Sequence, residues 1–159
     1  MTAIDREKLA YRKCVGIMLL NSKKEVFVGQ RIDNKADAWQ MPQGGVDEGE
    51  DIERAAFREL KEEIGTDNIK IIGKAQNWYS YDIPDFLIPK FWSGKYRGQT
   101  QMWFVANFLG DDSEIDINTK EPEFKEWKWA HPDTLPNIIV TFKRDLYRGL
   151  LEEFKEYLK

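Results

Sequence analysis

Apolar positions along this chain follow two periods, one of two residues and one of three to four. Alternating or short apolar runs predict strands over residues 15–20, 25–30, 69–75, 102–109 and 127–131. The polar stretch 21–24 reads as the turn of a first hairpin. Helical spacing holds over 52–64 and again over 142–158, where Leu146, Leu150, Leu151, Phe154 and Leu158 recur three or four residues apart. Strands interspersed with two long helices predict a layered α/β or α+β fold. No repeat, low-complexity tract or Pro/Gly/Ser linker divides the chain, so one domain over residues 1–159 is expected. The stretch 81–98, with Pro84, Pro89, Gly94 and Gly98, is long enough to predict a substrate-facing loop.

Composition narrows the functional classes. At 159 residues and 42% hydrophobic the chain can bury one continuous core. A formal charge of -4 disfavours an extended sheath of phosphate contacts along duplex nucleic acid, while leaving recognition of one nucleotide end open. The lone Cys14 forms no internal disulfide and reads as a small apolar residue at a strand start, in keeping with a reducing, cytoplasmic setting. The N-terminal stretch lacks a signal-peptide core, and no apolar run has membrane-spanning length. With His131 as the single histidine, read as a strand-end residue, Ser-His-Asp and Cys-His mechanisms find little support. Six tryptophans exceed the needs of a small core, so some rings are expected in a cleft. From Phe86 to Gly110 there is no acid, yet Lys90, Lys95 and Arg97 fall among Phe91, Trp92, Tyr96 and Trp103. Such a stretch suits guidance of an anionic strand, and equally a partly buried strand with its preceding loop.

The candidate chemistry lies between Gln43 and Gly65: a glycine-bearing acidic loop, a helix with Asp51 as its N-cap, and Gly65 just past its last turn. Ala56, Phe57, Leu60 and Ile64 form the core-facing arc, while Glu59, Glu62 and Glu63 occupy a neighbouring one. Small Ala55, between Glu59 and Glu62 on the wheel, would leave room for a diphosphate. Carboxylates three and four residues apart repel by a few tenths of a kcal/mol per pair unless a cation intervenes. Oxygen ligands on one helix suit a hard ion, Mg²⁺ or Mn²⁺. The residues alone also describe a solvated acidic helix face, with Arg58 as a surface ion-pair partner of Glu62.

Spacing separates these readings. Gly44, Glu50, Arg58, Glu59, Leu60, Glu62, Glu63 and Gly65 stand in the order and spacing of the Nudix box, residues 44–66, departing from it only at Thr66, where an aliphatic residue is usual. The chain thus resembles the Nudix hydrolase superfamily. The lead-in from Trp39 to Gly45, the tract Pro122-Glu123-Phe124 followed by Trp127 and Trp129, and Phe142-Lys143-Arg144-Asp145 with Tyr147-Arg148 resemble its bacterial RNA pyrophosphohydrolase and dinucleoside polyphosphate hydrolase branch.

The resemblance implies a three-layer α/β/α sandwich with a mixed sheet. It implies magnesium, replaceable by manganese or another divalent cation, at Gly44, Glu59, Glu62, Glu63 and Glu123, with these four glutamates as the catalytic set and Glu50, Arg58, Leu60 and Gly65 shaping the box. Arg12, Arg31, Gln99 and Lys143 match positions lining the phosphate or nucleotide site, and Val140 and Phe142 match positions that contact a base. The implied activity is removal of pyrophosphate from a 5′-triphosphate RNA end, leaving a monophosphate and promoting RNA decay. Hydrolysis of diadenosine tetraphosphate is the alternative, and a non-catalytic nucleotide-binding module a remoter one.

Overall fold

The apolar run in the first quarter of the chain becomes the middle of a mixed sheet. In the computed structural model, which describes residues 5–32 and 37–159, the strands are β1 (Ala10–Leu20), β2 (Val26–Arg31), β3 (Trp39–Gln40), β4 (Gln43–Gly45), β5 (Ile69–Lys74), β6 (Tyr79–Asp82), β7 (Tyr96–Phe108) and β8 (Phe124–Ala130). The first four residues of the N-terminal stretch lie outside the described residues. The sheet order is β3-β2-β1-β7-β5, with β4 beside β1, β6 beside β7 and β8 beside β2. β1 and β7 run parallel and the remaining pairs antiparallel.

Residues Cys14 to Leu20 are buried without a break, so the central strand is covered on both faces, as a layered α/β fold requires. Helix α1 (Ile52–Ile64) packs on β4 and β1; the short α2 (Leu135–Ile138) packs on β3, and α3 (Arg144–Glu153) packs on β6. Tyr147 ties α3 to the entrance of the glycine loop, its buried hydroxyl accepting the Met41 amide N–H at 2.8 Å.

Helix α1 has the bounds its spacing predicts. Asp51 accepts the Arg54 amide N–H at 3.1 Å, and Gly65 leaves the helix at φ 80°. Thr66 fits where an aliphatic is usual because its hydroxyl accepts the Asn68 N–H at 3.1 Å, stabilising the chain reversal after the helix.

Other elements differ from the hydrophobic pattern. β1 starts at Ala10 and β7 at Tyr96 because these ends pair along the parallel ladder, from Ala10 with Tyr96 to Lys13 with Thr100, where few side chains are apolar. Cys14 consequently lies within a strand, fully buried, not at its start. The expected loop 81–98 is shortened by β6 and β7, and its remainder contains two 3-10 segments, Asp85–Lys90 and Trp92–Gly94. The helical pattern over 142–158 resolves into α3 between the 3-10 turns Thr141–Lys143 and Lys155–Leu158. Ala55 is fully buried on the core side of α1, so it opens no path for a diphosphate.

Candidate active site

A cavity of about 480 Å³ opens where β1, β4, β7 and α1 meet the turn before α3. Arg12, Arg31, Gln99, Val140, Phe142 and Lys143, six residues spread over the sequence, line it together with Gly44, Glu59, Glu62 and Glu123. Register explains much of this convergence. Arg12 and Gln99 are direct partners across β1 and β7, and Tyr81 is the partner of Gln99 across β6 and β7. Where the β2–β8 register shifts at Gln30 and Arg31, the Ile32 N–H donates to the Glu123 carbonyl at 2.9 Å, fixing Glu123 beside Arg31.

The three box glutamates differ in depth. The Glu62 side chain is 59% exposed, that of Glu59 13%, and Glu63 is 1% exposed and lies behind the cavity wall. Both Glu63 carboxylate oxygens are buried without a hydrogen-bond partner. Burial and the neighbouring Glu123 and Glu59 carboxylates push its pKa well above the usual carboxylate range. Burial likewise lifts Glu59 to about 7, although the adjacent Arg58 opposes the shift.

Arg58 does more than form a surface pair with Glu62. Its guanidinium donates to Glu50 through Nε at 2.7 Å and Nη2 at 2.8 Å, to the Gly45 carbonyl at 2.9 Å and to Glu59 at 2.9 Å, reaching Glu62 at 3.2 Å. The forked contact holds Glu50 down to about 2. Arg58 thus clamps the glycine loop to the helix. Gly44 follows from the same packing, because a Cβ there would overlap the Glu59 carboxylate.

The rest of the lining is largely cationic and aromatic. Lys143 is 7% exposed, its ammonium 5.2 Å from the centre of the Tyr81 ring, and burial lowers it to about 8. Arg12 lies 5.5 Å from the Trp92 ring centre. Tyr81 and Phe142 form a tilted pair with centroids 6.0 Å apart. Gln40, Gln43, Tyr81, Phe91 and Trp92 also line the cavity without having been singled out as site residues. The acid-free aromatic stretch was the available signal for Phe91 and Trp92; Trp103, from the same stretch, is core. His131 follows β8 on the surface and its Nδ1 accepts the Asp133 N–H, away from the cavity.

A hard divalent cation suits these donors: an oxygen-only set, two carboxylate oxygens at Glu63 lacking partners, and Glu59 desolvated among further acids. As the side chains stand, no group of three acidic, histidine or cysteine residues among the described residues encloses a metal position; Arg58 holds Glu59 and Glu62.

The NUDIX domain family matches residues 10–150. The chain is 56% identical over 153 residues to an RNA pyrophosphohydrolase of Sphingopyxis alaskensis, covering 95% of this chain and 97% of that protein. It is 52% identical over 151 residues to one from Rickettsia conorii, covering 95% and 94%. Among solved structures, the E. coli dihydroneopterin triphosphate pyrophosphohydrolase superimposes with a TM-score of 0.65 at 22% identity over 90% of this chain and 98% of that one. A C. elegans Ap4A hydrolase superimposes with a TM-score of 0.61 at 20% identity over 90% and 98%. These two likenesses concern the fold alone. With a family match spanning the sheet, the box helix and α3 up to Leu150, and relatives alike over nearly their whole length, this chain belongs to the Nudix family.

Proposed function

We propose that this protein is a metal-dependent hydrolase that removes pyrophosphate from the 5′-triphosphate end of RNA, leaving a 5′-monophosphate and exposing the transcript to decay. The observation that carries the reading is that acids and cations line one cavity together. Glu59, Glu62 and Glu123, with the partnerless Glu63 behind them, share it with Arg12, Arg31, Gln99 and Lys143. Acids that want a cation beside bases that want an anion suit a polyphosphate bound together with a divalent ion. The RNA pyrophosphohydrolase name of the relatives supports the choice of substrate.

In this reading Glu59, Glu62, Glu63 and Glu123 hold Mg²⁺, or a substituting divalent ion, beside Gly44. When bound, the cation supplies charge neutralisation on the phosphates and acidifies water. The chain's own residues do the remainder. Arg12, Arg31 and Lys143 bind phosphate oxygens, and Gln99 donates an amide N–H to them. Tyr81 and Phe142 flank a base, with Val140 against its edge. One of Glu62, Glu63 and Glu123 takes a proton from the attacking water. The phosphoanhydride bond breaks and pyrophosphate leaves. Such a substrate places the protein in the cytoplasm, and no helix of the described residues is long and apolar enough to cross a membrane.

A second reading, hydrolysis of diadenosine tetraphosphate, is favoured by a second aromatic group: Phe91 and Trp92 line the same cavity apart from the Tyr81–Phe142 pair and could receive another base. Purified protein with Mg²⁺, given triphosphorylated RNA and diadenosine tetraphosphate in parallel, separates the two. Release of pyrophosphate with 5′-monophosphorylated RNA at the higher kcat/KM is the expected result. Efficient cleavage of the dinucleotide with RNA untouched would replace the first reading by the second. Glu63→Gln should abolish turnover even at saturating Mg²⁺, and near-normal turnover would remove Glu63 from the metal set.

A further inference from the structure

Behind Gln99 lies a chain of buried carboxamides that ends at an indole. Trp103 Nε1 donates to Gln101 Oε1 at 2.9 Å. Gln101 Nε2 donates to both Gln43 Oε1 and Gln99 Oε1, each at 2.9 Å. The Tyr81 hydroxyl donates to the same Gln99 oxygen at 2.6 Å. Trp103 and Gln101 are fully buried and Gln99 nearly so, while Gln99 and Gln43 reach the cavity wall and Trp103 does not.

A carboxamide can be turned end for end with little change of shape, so its direction is set by its partners. Here one partner admits a single answer. An indole N–H donates and cannot accept, so the Gln101 oxygen must face Trp103. Turned round, Gln101 would set its NH₂ against the indole N–H and its oxygen against those of Gln43 and Gln99, leaving several buried groups unpaired. With Gln101 fixed, its two N–H groups require oxygens from Gln43 and Gln99. The Gln99 oxygen, already receiving Tyr81 and Gln101, is thereby turned inward, and the Gln99 NH₂ is left for the cavity.

We propose that Trp103 is a positioning residue for substrate binding: through Gln101 it fixes the direction of the Gln99 carboxamide, so that Gln99 offers N–H donors, and never its carbonyl, to an anionic phosphate oxygen. The proposal rests on the reading of this cavity as a polyphosphate site. It accounts for a tryptophan placed deep in the core beside glutamines that an ordinary core would exclude. It also makes the specificity for anions a property of the buried network and of the surface charges together.

The test is a double-mutant cycle of Trp103→Phe and Gln99→Ala, measured as KM and kcat for triphosphorylated RNA with Mg²⁺, alongside the melting temperature of each variant. Trp103→Phe alone should raise KM about ten-fold, the worth of one hydrogen bond to a charged acceptor, with a much smaller change in kcat. In the Gln99→Ala background it should raise KM no further. A structural role alone predicts additive losses that follow the melting temperature, and that outcome overturns the proposal. Should Trp103→Phe fold poorly, the wild-type protein provides the check by NMR. Titration with inorganic tripolyphosphate should shift the Gln99 side-chain NH₂ resonances and leave those of Gln101 in place; unmoved Gln99 resonances with bound tripolyphosphate overturn the proposal. A wild-type protein that neither hydrolyses nor binds any polyphosphate overturns the cavity reading itself, a result distinct from additivity in the cycle.

Discussion

At the scale of single residues, the site is organised by one guanidinium and one missing side chain. Arg58 satisfies Glu50, Glu59 and the Gly45 carbonyl at once, so the glycine loop and α1 cannot separate without stranding partly buried charges. Gly44 faces the Glu59 carboxylate so closely that a methyl group has no room. Gly44→Ala should therefore displace Glu59 and lower kcat by at least about ten-fold, since misplacement of a reacting group by even 1 Å is costly. The melting temperature should fall only slightly, because the clash falls on a side chain at the cavity and not on the core. Steady-state kinetics and calorimetry on the same sample check both halves, and unchanged kcat would show that Glu59 can move without consequence.

At the scale of elements, the box helix is the piece that sequence describes best, and local physics explains why. Its cap, its apolar arc and its terminating glycine all lie within one contiguous segment, and each acts over at most four residues. Gly65→Ala tests the end of that segment. The added Cβ meets the Asp116 carbonyl 2.8 Å away, and φ of 80° disfavours any side chain. A loss of about 1–3 kcal/mol in chemical denaturation is expected, whereas a loss below a few tenths would mean that the turn relaxes freely. The strands were less legible. β3 and β4 are two and three residues long and owe their existence to ladder partners far away in sequence, Gly29 with Gln40 and Gly16 with Gln43. The polar starts of β1 and β7 are held by each other, which no hydrophobic alternation reports.

At the scale of the whole molecule, burying acids sets a pH dependence whose sign runs opposite to that of ordinary ion pairs. Glu59 releases its proton near 4.5 in the unfolded chain and near 7 in the folded one, and Glu63 is shifted in the same direction. Between those values the folded state binds more protons, so metal-free stability falls as pH rises through that window. Lys143, lowered from 10.5 to about 8, acts in reverse: the folded state binds fewer protons between 8 and 10.5, and stability is regained as pH rises there. In EDTA the melting temperature should drop from pH 5 to pH 7.5. Mg²⁺ should raise it more at pH 7.5 than at pH 5, because at pH 5 the cation must first displace the protons that these carboxylates still hold. A stabilisation by Mg²⁺ equal at both pH values would count against coordination by these carboxylates.

The same scale separates what one dimension contained from what three dimensions added. From the sequence alone came the family resemblance, the layered α/β class, the bounds of α1 and the names of the glutamates, because a motif on one helix carries its geometry in its spacing. The differing depths of Glu59, Glu62 and Glu63, the aromatic lining of Tyr81 and Trp92 and the inward turn of the Gln99 amide arose only when distant strands came into register. A helix repeats every 3.6 residues and can be read locally, whereas burial and hydrogen-bond direction depend on neighbours that the chain brings close only by folding.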